Sequence, residues 1–297
     1  MILSLDIGGT KTAVGLVAKT GTIQKAWSYP TKADKGSRLF LDSIMQLIET
    51  HQTAQVDRIG IGIAGQVDAV RGIYLKGPNL PLKNAPLAKL IQQSFKVPVA
   101  LHNDAQCFAY AEALRGAGRK YPSVFGMTIG TGIGGGFVLG GQLMQGATGT
   151  LGEVGHMTIN IMVAKKSPRC ACGQYNHLEA YAGGASISAR YKALTGKQVS
   201  PIEIETLLQK KNFYAEKIVF DAQTALAAGF NNIRVSLNPN VIVVGGGLAK
   251  FRELWQPARR LANELCPFAA LRKTPIVPGI LKENAGLIGA ALLTNRF

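Results

Sequence analysis

Asp6-Ile7-Gly8-Gly9-Thr10-Lys11 stands between two strand-like stretches, Ile2 to Leu5 and the alternating run Thr12 to Ala18. Its composition invites a P-loop reading, which fails twice. A P-loop needs Gly directly before Lys-Ser/Thr, and Thr10 sits there; it also needs a helix to follow, where this chain alternates as a strand. What survives is a turn of small residues that lets backbone N–H groups and the Thr10 hydroxyl approach phosphate oxygens. Asp6, at the strand end, offers the hard oxygen that a hydrated Mg²⁺ prefers. An ordinary Gly-Gly hairpin with a capping Asp accounts for the same residues.

Outward from this stretch, Ile23 to Tyr29 reads as a third strand after the Thr20-Gly21 turn. Near Tyr121-Pro122 the pattern restarts: Val124 to Ile129 as a strand, Gly130-Thr131-Gly132-Ile133-Gly134-Gly135-Gly136 as a loop, Phe137 to Leu139 as a strand, and Gly140-Gly141 as a turn. Strand, Gly-Thr loop, strand, turn, strand thus occurs twice, and repeated sequence pattern implies repeated structure. The expectation is an α/β chain of two related lobes, each opening with a Gly-Thr loop, around a central cleft. Between the copies lie a helix at Ser37 to Thr50, with Leu39, Phe40, Ile44, Leu47 and Ile48 on one face, and a strand at Arg58 to Ala64. Pro78-Asn79-Leu80-Pro81 reads as an extended loop, Val97 to Leu101 as a strand, and Asn103-Asp104 opens a helix. After the second copy, helices dominate from Gly184 to Leu237, the strand Val241 to Val244 runs into Gly245-Gly246-Gly247, and a last helix spans Ala285 to Asn295. We place the lobe boundary near residue 118: residues 1–117 with a returning terminal segment, 284–297, against residues 118–283.

Composition narrows the class. The 297 residues are 47% apolar and 17% charged, enough to bury a core. No apolar run approaches the roughly 20 residues that span a bilayer, and Met1-Ile2-Leu3-Ser4-Leu5-Asp6 lacks the basic start of a signal peptide, so a cytoplasmic protein is expected. Of the four cysteines, Cys107 and Cys266 stand alone in helical patterns and read as buried, reduced thiols. The formal charge is +16, but the basic residues are scattered, with short clusters only at Lys165-Lys166, Lys210-Lys211, Arg259-Arg260 and Arg272-Lys273. We read the surplus as solubility plus attraction of an anionic nucleotide, with no nucleic-acid or membrane partner.

The second loop also matches Gly-x-Gly-x-x-Gly through Gly130, Gly132 and Gly135, but Phe137 to Leu143 alternates and no helix follows, so a dinucleotide site loses its context. A strand–loop–strand still makes a phosphate nest. With Gly245-Gly246-Gly247, three glycine loops point to a gripped nucleotide. Asn103-Asp104 carries two readings. Asn and Asp are preferred N-caps, which suffices to explain the pair; a carboxylate at a strand–helix junction can also take the proton of an attacking hydroxyl. Leu151-Gly152-Glu153-Val154-Gly155-His156 is glycine-flanked, which places Glu153 and His156 on a loop, either as solvated residues or as ligands to adjacent sugar hydroxyls. His156, Cys170, Cys172 and His177 form the sharpest local cluster, four ligands of the kinds that hold tetrahedral structural Zn²⁺.

Taken together, Asp6 to Lys11, Asn103-Asp104-Ala105, Gly130 to Gly136, Gly152-Glu153-Val154-Gly155-His156, Cys170-Ala171-Cys172-Gly173 with Glu179, and Val243-Val244-Gly245-Gly246-Gly247 resemble the ROK family of sugar kinases and repressors. The resemblance implies an actin-like ATPase (ribonuclease H-like) fold, two lobes closing on ATP with Mg²⁺ and on sugar, a zinc site within the second lobe, and a homodimer. It implies Asp104 as general base, and Asn103, Glu153, His156, Glu179, Asn79 and Gly65 as sugar ligands. Gly8, Gly9, Thr10 and Lys11, Gly130, Thr131 and Gly132, and Gly245, Gly246 and Gly247 would meet ATP. Where the family has Gly-Cys, this chain has Asn176-His177, so that either His177 replaces a thiolate in a His₂Cys₂ site or zinc is weak or absent. Family repressors carry a helix-turn-helix segment before the first motif; here that motif starts at Asp6, so a kinase is expected rather than a regulator. Pro78 to Pro81 looks like the glucokinases, which sets glucose as the first expectation. Asn103-Asp104-Ala105-Gln106-Cys107-Phe108 and Gly155-His156-Met157 look like the N-acetylglucosamine kinases, the alternative alongside N-acetylmannosamine, fructose or mannose kinases.

Overall fold

The computed structural model describes residues 1–160 and 168–296, so the Lys165-Lys166 cluster lies outside the described residues. The chain opens with β1 (Ile2–Ile7), β2 (Lys11–Val17) and β3 (Ile23–Pro30), then α1 (Ser37–His51), β4 (Arg58–Ile63), the hairpin β5 (Gln66–Asp68) and β6 (Ile73–Lys76), α2 (Leu87–Phe95), β7 (Val99–Asn103) and α3 (Asp104–Arg115). Next come β8 (Ser123–Ile129), β9 (Ile133–Leu139), β10 (Gln142–Met144), α4 (Leu178–Ala182), α5 (Gly184–Thr195), α6 (Pro201–Gln209) and α7 (Phe213–Leu237). The chain ends with β11 (Val241–Gly245), α8 (Arg252–Leu265), α9 (Ala269–Arg272), β12 (Ile276–Pro278) and α10 (Ala285–Leu293).

Two five-stranded sheets have the orders β3-β2-β1-β4-β7 and β10-β9-β8-β11-β12. Each therefore places its three consecutive strands first and then two strands that return through helices, the repeat expected from the two Gly-Thr loops. In the first sheet β1 pairs antiparallel with β2 and parallel with β4, which pairs parallel with β7. In the second, β11 pairs parallel with both β8 and β12.

Tertiary contacts divide the chain into two compact units, Met1–Lys120 with Gly136–Gly152 and Ile280–Phe297, and Tyr121–Gly135 with Glu153–Gly279. The division differs from a single cut near residue 118 because residues 136–152 pack with the first unit. The Gln106 side-chain amide donates to the Gly149 and Leu151 carbonyls at 2.9 and 3.2 Å, and Gly136 has no room for a side chain beside Ala109.

Within the first unit, β4 reads Arg-Ile-Gly-Ile-Gly-Ile, and the period of two sorts its faces. Ile59, Ile61 and Ile63 are fully buried in the core with Leu3, Leu5, Phe40 and Ile44. Gly60 and Gly62 make the other face a seat for α10: a Cβ on Gly60 would lie 2.2 Å from the Ala290 carbonyl oxygen. The Ser4 hydroxyl donates to the Leu287 carbonyl at 2.7 Å, tying β1 to the same helix. The second unit centres on Val241 to Val244 of β11 and Phe125 and Met127 of β8, with α7 packed on α8.

One expectation from sequence is corrected. The run from Gly130 to Gly136 is not a loop throughout: the loop ends at Gly132 and β9 begins at Ile133. The later glycines are there because the strand passes against bulk, since a Cβ on Gly135 would sit 2.7 Å from the Phe125 ring. The basic clusters at Lys210-Lys211, Arg259-Arg260 and Arg272-Lys273 are exposed and separate along the fold.

His51 closes α1 beneath β3, with its Nε2 2.8 Å from the Tyr29 hydroxyl and its ring stacked on Trp27 at 4.1 Å. Burial pulls its pKa below the ordinary 6.5. The fold therefore favours neutral imidazole, and this contribution is complete above 6.5 and lost as pH falls through the depressed folded value. Urea midpoints are expected to fall between about pH 7.5 and 5 in the native chain, with a shallower fall in His51→Phe; equal slopes would contradict this.

Candidate active site and metal cluster

In the first unit, β7 ends at Asn103 and α3 begins at Asp104. Asn103, not Asp104, is the helix cap: its side-chain oxygen accepts from the Gln106 N–H at 3.1 Å. Its amide group donates to the Gly65 carbonyl at 3.0 Å and to Asp104 Oδ1 at 3.1 Å. Asp104 Oδ1 also accepts from the Ala105 N–H at 2.9 Å. Both bonds fall on Oδ1, so Oδ2 is the oxygen with capacity to take a proton. Burial raises the Asp104 pKa, against the lowering effect of the Ala105 and Asn103 hydrogen bonds. Asp6 is pushed up to about 7, first by burial and then by the Asp104 charge, with Lys11 opposing. Two carboxylates thus share one electrostatic environment, the arrangement in which pKa values separate.

The structure brings the other first-unit candidates to the same neighbourhood. Gly65 has φ +125° and lies against Tyr74, whose hydroxyl donates to the Ala64 carbonyl at 3.2 Å. Only glycine fits there: a Cβ would be 2.6 Å from that hydroxyl. Tyr74 is a residue that sequence reasoning misses; its pKa is pushed up to about 12 by burial and by the Asp104 charge. A lone Tyr in a hairpin carries no local signal of this. Gly8 closes the first loop by donating to the Lys11 carbonyl at 2.9 Å, and Gly9 lies so near Asn79 that a Cβ would be 2.9 Å from the Asn79 Cβ. Thr10 and Lys11 are exposed beside them.

In the second unit, Gly130, Thr131 and Gly132 form a tight turn in which the Gly130 N–H donates to the Gly132 carbonyl at 2.9 Å. Gly247 reaches this turn, its nitrogen 3.9 Å from the position of a Gly130 Cβ. Gly246, at φ +87°, crosses Ile129 too closely for any side chain. Gly245 ends β11. The two glycine loops of this unit therefore converge.

His156, Cys170, Cys172 and His177 also converge, with one ligand atom from each within 4.8 Å of the others. His156 Nδ1 lies 3.3 Å from His177 Nδ1 and 3.7 Å from Cys170 Sγ, and Cys172 Sγ lies 3.2 Å from His177 Nδ1. A tetrahedron with Zn–N about 2.0 Å and Zn–S about 2.3 Å has edges of roughly 3.3 to 3.8 Å, so the donor set fits zinc in type and number, and these three separations lie close to such edges. The protein alone favours uncharged groups here, so neutral His177 is ready to ligate while the Cys170 thiol must give up its proton to the metal. Burial pushes the Cys170 thiol up to about 11, and burial followed by the His156 charge lowers the His177 pKa. His156 Nε2 points the other way, 3.8 Å from Glu153 Oε2, so one imidazole can serve the cluster through Nδ1 and a hydroxyl through Nε2. Glu179 accepts from the Ile133 N–H at 2.9 Å through Oε2, and its Oε1 lies 3.7 Å from Cys170 Sγ.

The paired sheets and these loops define the actin-like ATPase fold, and solved structures agree. A ROK hexokinase from Thermus thermophilus matches with a TM-score of 0.83 at 30% identity, over 99% of both chains. A ROK family glucokinase from Streptomyces griseus, in complex with glucose and AMPPNP, matches with a TM-score of 0.84 at 26% identity, over 100% of this chain and 99% of that one. The ROK family model matches residues 2–296, and an N-acetyl-D-glucosamine kinase of Haemophilus influenzae is 32% identical over 99% of both chains. The chain belongs to the ROK family. Among the described residues, no helix is long and apolar enough to cross a membrane.

Proposed function

We propose that this ROK-family sugar kinase transfers the γ-phosphoryl group of ATP to the 6-hydroxyl of N-acetylglucosamine. The observation that carries the choice of sugar is the set of curated relatives at 32–33% identity over 99% of both chains, which are N-acetyl-D-glucosamine kinases. That weight revises the glucose expectation, which rests on Pro78 to Pro81. Glucose is kept as the second reading because the Streptomyces griseus enzyme was solved with it.

In this reading Asp104 accepts the hydroxyl proton at Oδ2 while Asn103 holds its Oδ1 side. Gly65 and Asn79, and Glu153, His156 and Glu179 by resemblance, bind sugar hydroxyls. Gly8 to Lys11, Gly130 to Gly132 and Gly245 to Gly247 supply small, N–H-rich turns for phosphate oxygens. Mg²⁺ would be held near Asp6, where a divalent charge would favour the ionised carboxylate over the state with pKa about 7. His156, Cys170, Cys172 and His177 hold structural Zn²⁺, and the chain acts as a cytoplasmic homodimer. Neither nucleic acid nor membrane is a partner.

The deciding experiment is coupled ADP release with glucose, mannose, fructose, N-acetylglucosamine and N-acetylmannosamine. N-acetylglucosamine is expected to give a kcat/KM about tenfold or more above glucose, on the scale a shaped pocket discriminates; a preference for glucose would reverse the assignment. For the metal, elemental analysis of purified protein is expected to find one zinc per chain, lost in Cys172→Ser with His177→Ala. Absence of stoichiometric zinc from the native protein would remove the metal from the account.

A further inference from the structure

Glu179 is placed among the sugar ligands by resemblance, yet its carboxylate is occupied within the protein. Oε2 accepts from the Ile133 N–H at 2.9 Å, immediately after the Gly130-Thr131-Gly132 turn. Gly132 passes so close that a Cβ there would lie 2.2 Å from Oε2, so the turn is moulded over this carboxylate. On its other side Oε1 lies 3.7 Å from Sγ of Cys170, a member of the metal cluster. The same segment makes further connections. His177, a cluster member, is the residue before α4, and Glu179 stands in the first turn of that helix. Its carbonyl accepts from the Gly183 N–H at 2.9 Å, and Gly184 and Ala185 then donate to the Gly130 and Thr131 carbonyls at 2.9 and 3.0 Å. Ile133 is also pinned from behind, since a Cβ on Gly155, next to His156, would lie 2.1 Å from its carbonyl oxygen.

We propose that Glu179 is a positioning residue that couples the His156–Cys170–Cys172–His177 cluster to the Gly130–Gly132 phosphate turn, so that metal occupancy sets the order of the turn and its affinity for nucleotide. This rests on the kinase reading for the nucleotide and on zinc for the metal. Fixing His177 on a cation fixes the start of α4, two residues before Glu179, and a charge-assisted N–H···O⁻ bond then holds Ile133; the Cys170 thiol, which donates to Oε1 when the cluster is empty, gives its proton up to solvent when the metal binds. Loss of the metal frees the segment 177–185 at its origin. Coupling of this kind is reciprocal, so nucleotide binding must tighten the metal by the same factor.

The test uses the full chain without sugar, in native, zinc-stripped, Glu179→Ala and Glu179→Gln forms. Hydrogen exchange is read at the Ile133 amide, AMPPNP affinity by calorimetry, and zinc release with a chromogenic chelator. Glu179→Ala is expected to speed Ile133 exchange and weaken AMPPNP about tenfold each, the scale of one hydrogen bond to a charged group. Stripping zinc from the native chain gives the same change and adds little in Glu179→Ala, while Glu179→Gln, which keeps an acceptor oxygen without the charge, exchanges faster than native and slower than Glu179→Ala. Saturating AMPPNP slows zinc release from the native chain and not from Glu179→Ala. Should Glu179→Ala not fold, Glu179→Asp, one methylene too short, carries the same expectation. Unchanged Ile133 exchange in Glu179→Ala, with only sugar affinity reduced, overturns the proposal and leaves Glu179 a sugar ligand. A native chain that fails to bind AMPPNP counts against the kinase reading instead, because the exchange arms still decide the role of Glu179.

Discussion

Asp104→Asn lowers kcat by about 10³ while ATP affinity stays near native, because the substitution removes the proton acceptor and little else. The local geometry makes this a clean change. Asn103 supplies the helix cap, accepting from the Gln106 N–H at 3.1 Å, so α3 keeps its cap in the variant. An amide oxygen at position 104 can still accept from the Ala105 N–H and the Asn103 amide, as Oδ1 does now. Stability is therefore expected within about 0.5 kcal/mol of native, the range of a substitution that breaks no cap or buried network. If Asp104 served only the helix terminus, kcat would hardly move. The pH profile adds a second reading of the same residue. The base must be ionised, and burial raises its pKa above the ordinary 3.8, so kcat/KM falls on the acid side at a pH above that value. The Asp6–Asp104 pair titrates as a unit, and the limb reports the pair.

The second large effect is on stability. Gly289→Val is expected to cost about 3 kcal/mol or more, at the upper end of overpacking. A Cβ there would lie 1.9 Å from the Cys107 carbonyl oxygen and 2.8 Å from its Cα, which are backbone atoms of α3 and have no rotamer to change. The small gain in helix propensity over glycine, below about 1 kcal/mol, does not offset this. Because α10 also seats on Gly60 and presents Gly286 to the Asp6 carboxylate, the strain falls on the elements that carry Asp6 and Asp104. Urea unfolding measures it; a midpoint equal to native would mean that α10 is not held by backbone contact.

Much of the fold is legible in the sequence because periodicity and turn chemistry agree with tertiary packing. Four of the six residues from Ile2 to Ile7 are apolar because β1 lies inside its sheet, and the Gly-Thr loops mark both copies of the repeat. The glycines after Gly132 mislead because a strand passing close to another chain segment looks, in sequence, like a loop. The hairpin Gln66–Lys76 and helix α8 escape a reading of pattern alone, the first because its strands of three and four residues are too short to show a period and the second for the Pro257 inside it. At the site, residue types single out His156, Cys170, Cys172 and His177, four soft or borderline donors within 22 residues, and the fold brings their ligand atoms within 4.8 Å of one another. What sequence does not supply is direction: that Asn103 rather than Asp104 caps α3, that Tyr74 props the Ala64-Gly65 turn, and that Glu179 commits its carboxylate to Ile133.

The central claim is that this chain phosphorylates the 6-hydroxyl of N-acetylglucosamine. Its most direct measurement is ³¹P and ¹³C NMR of the product formed from ATP, Mg²⁺ and N-acetylglucosamine by the purified chain. One phosphomonoester is expected, coupled to carbon 6, formed in step with ADP and absent with Asp104→Asn. ADP release that is indifferent to the sugar, or phosphate attached at another carbon, would contradict it.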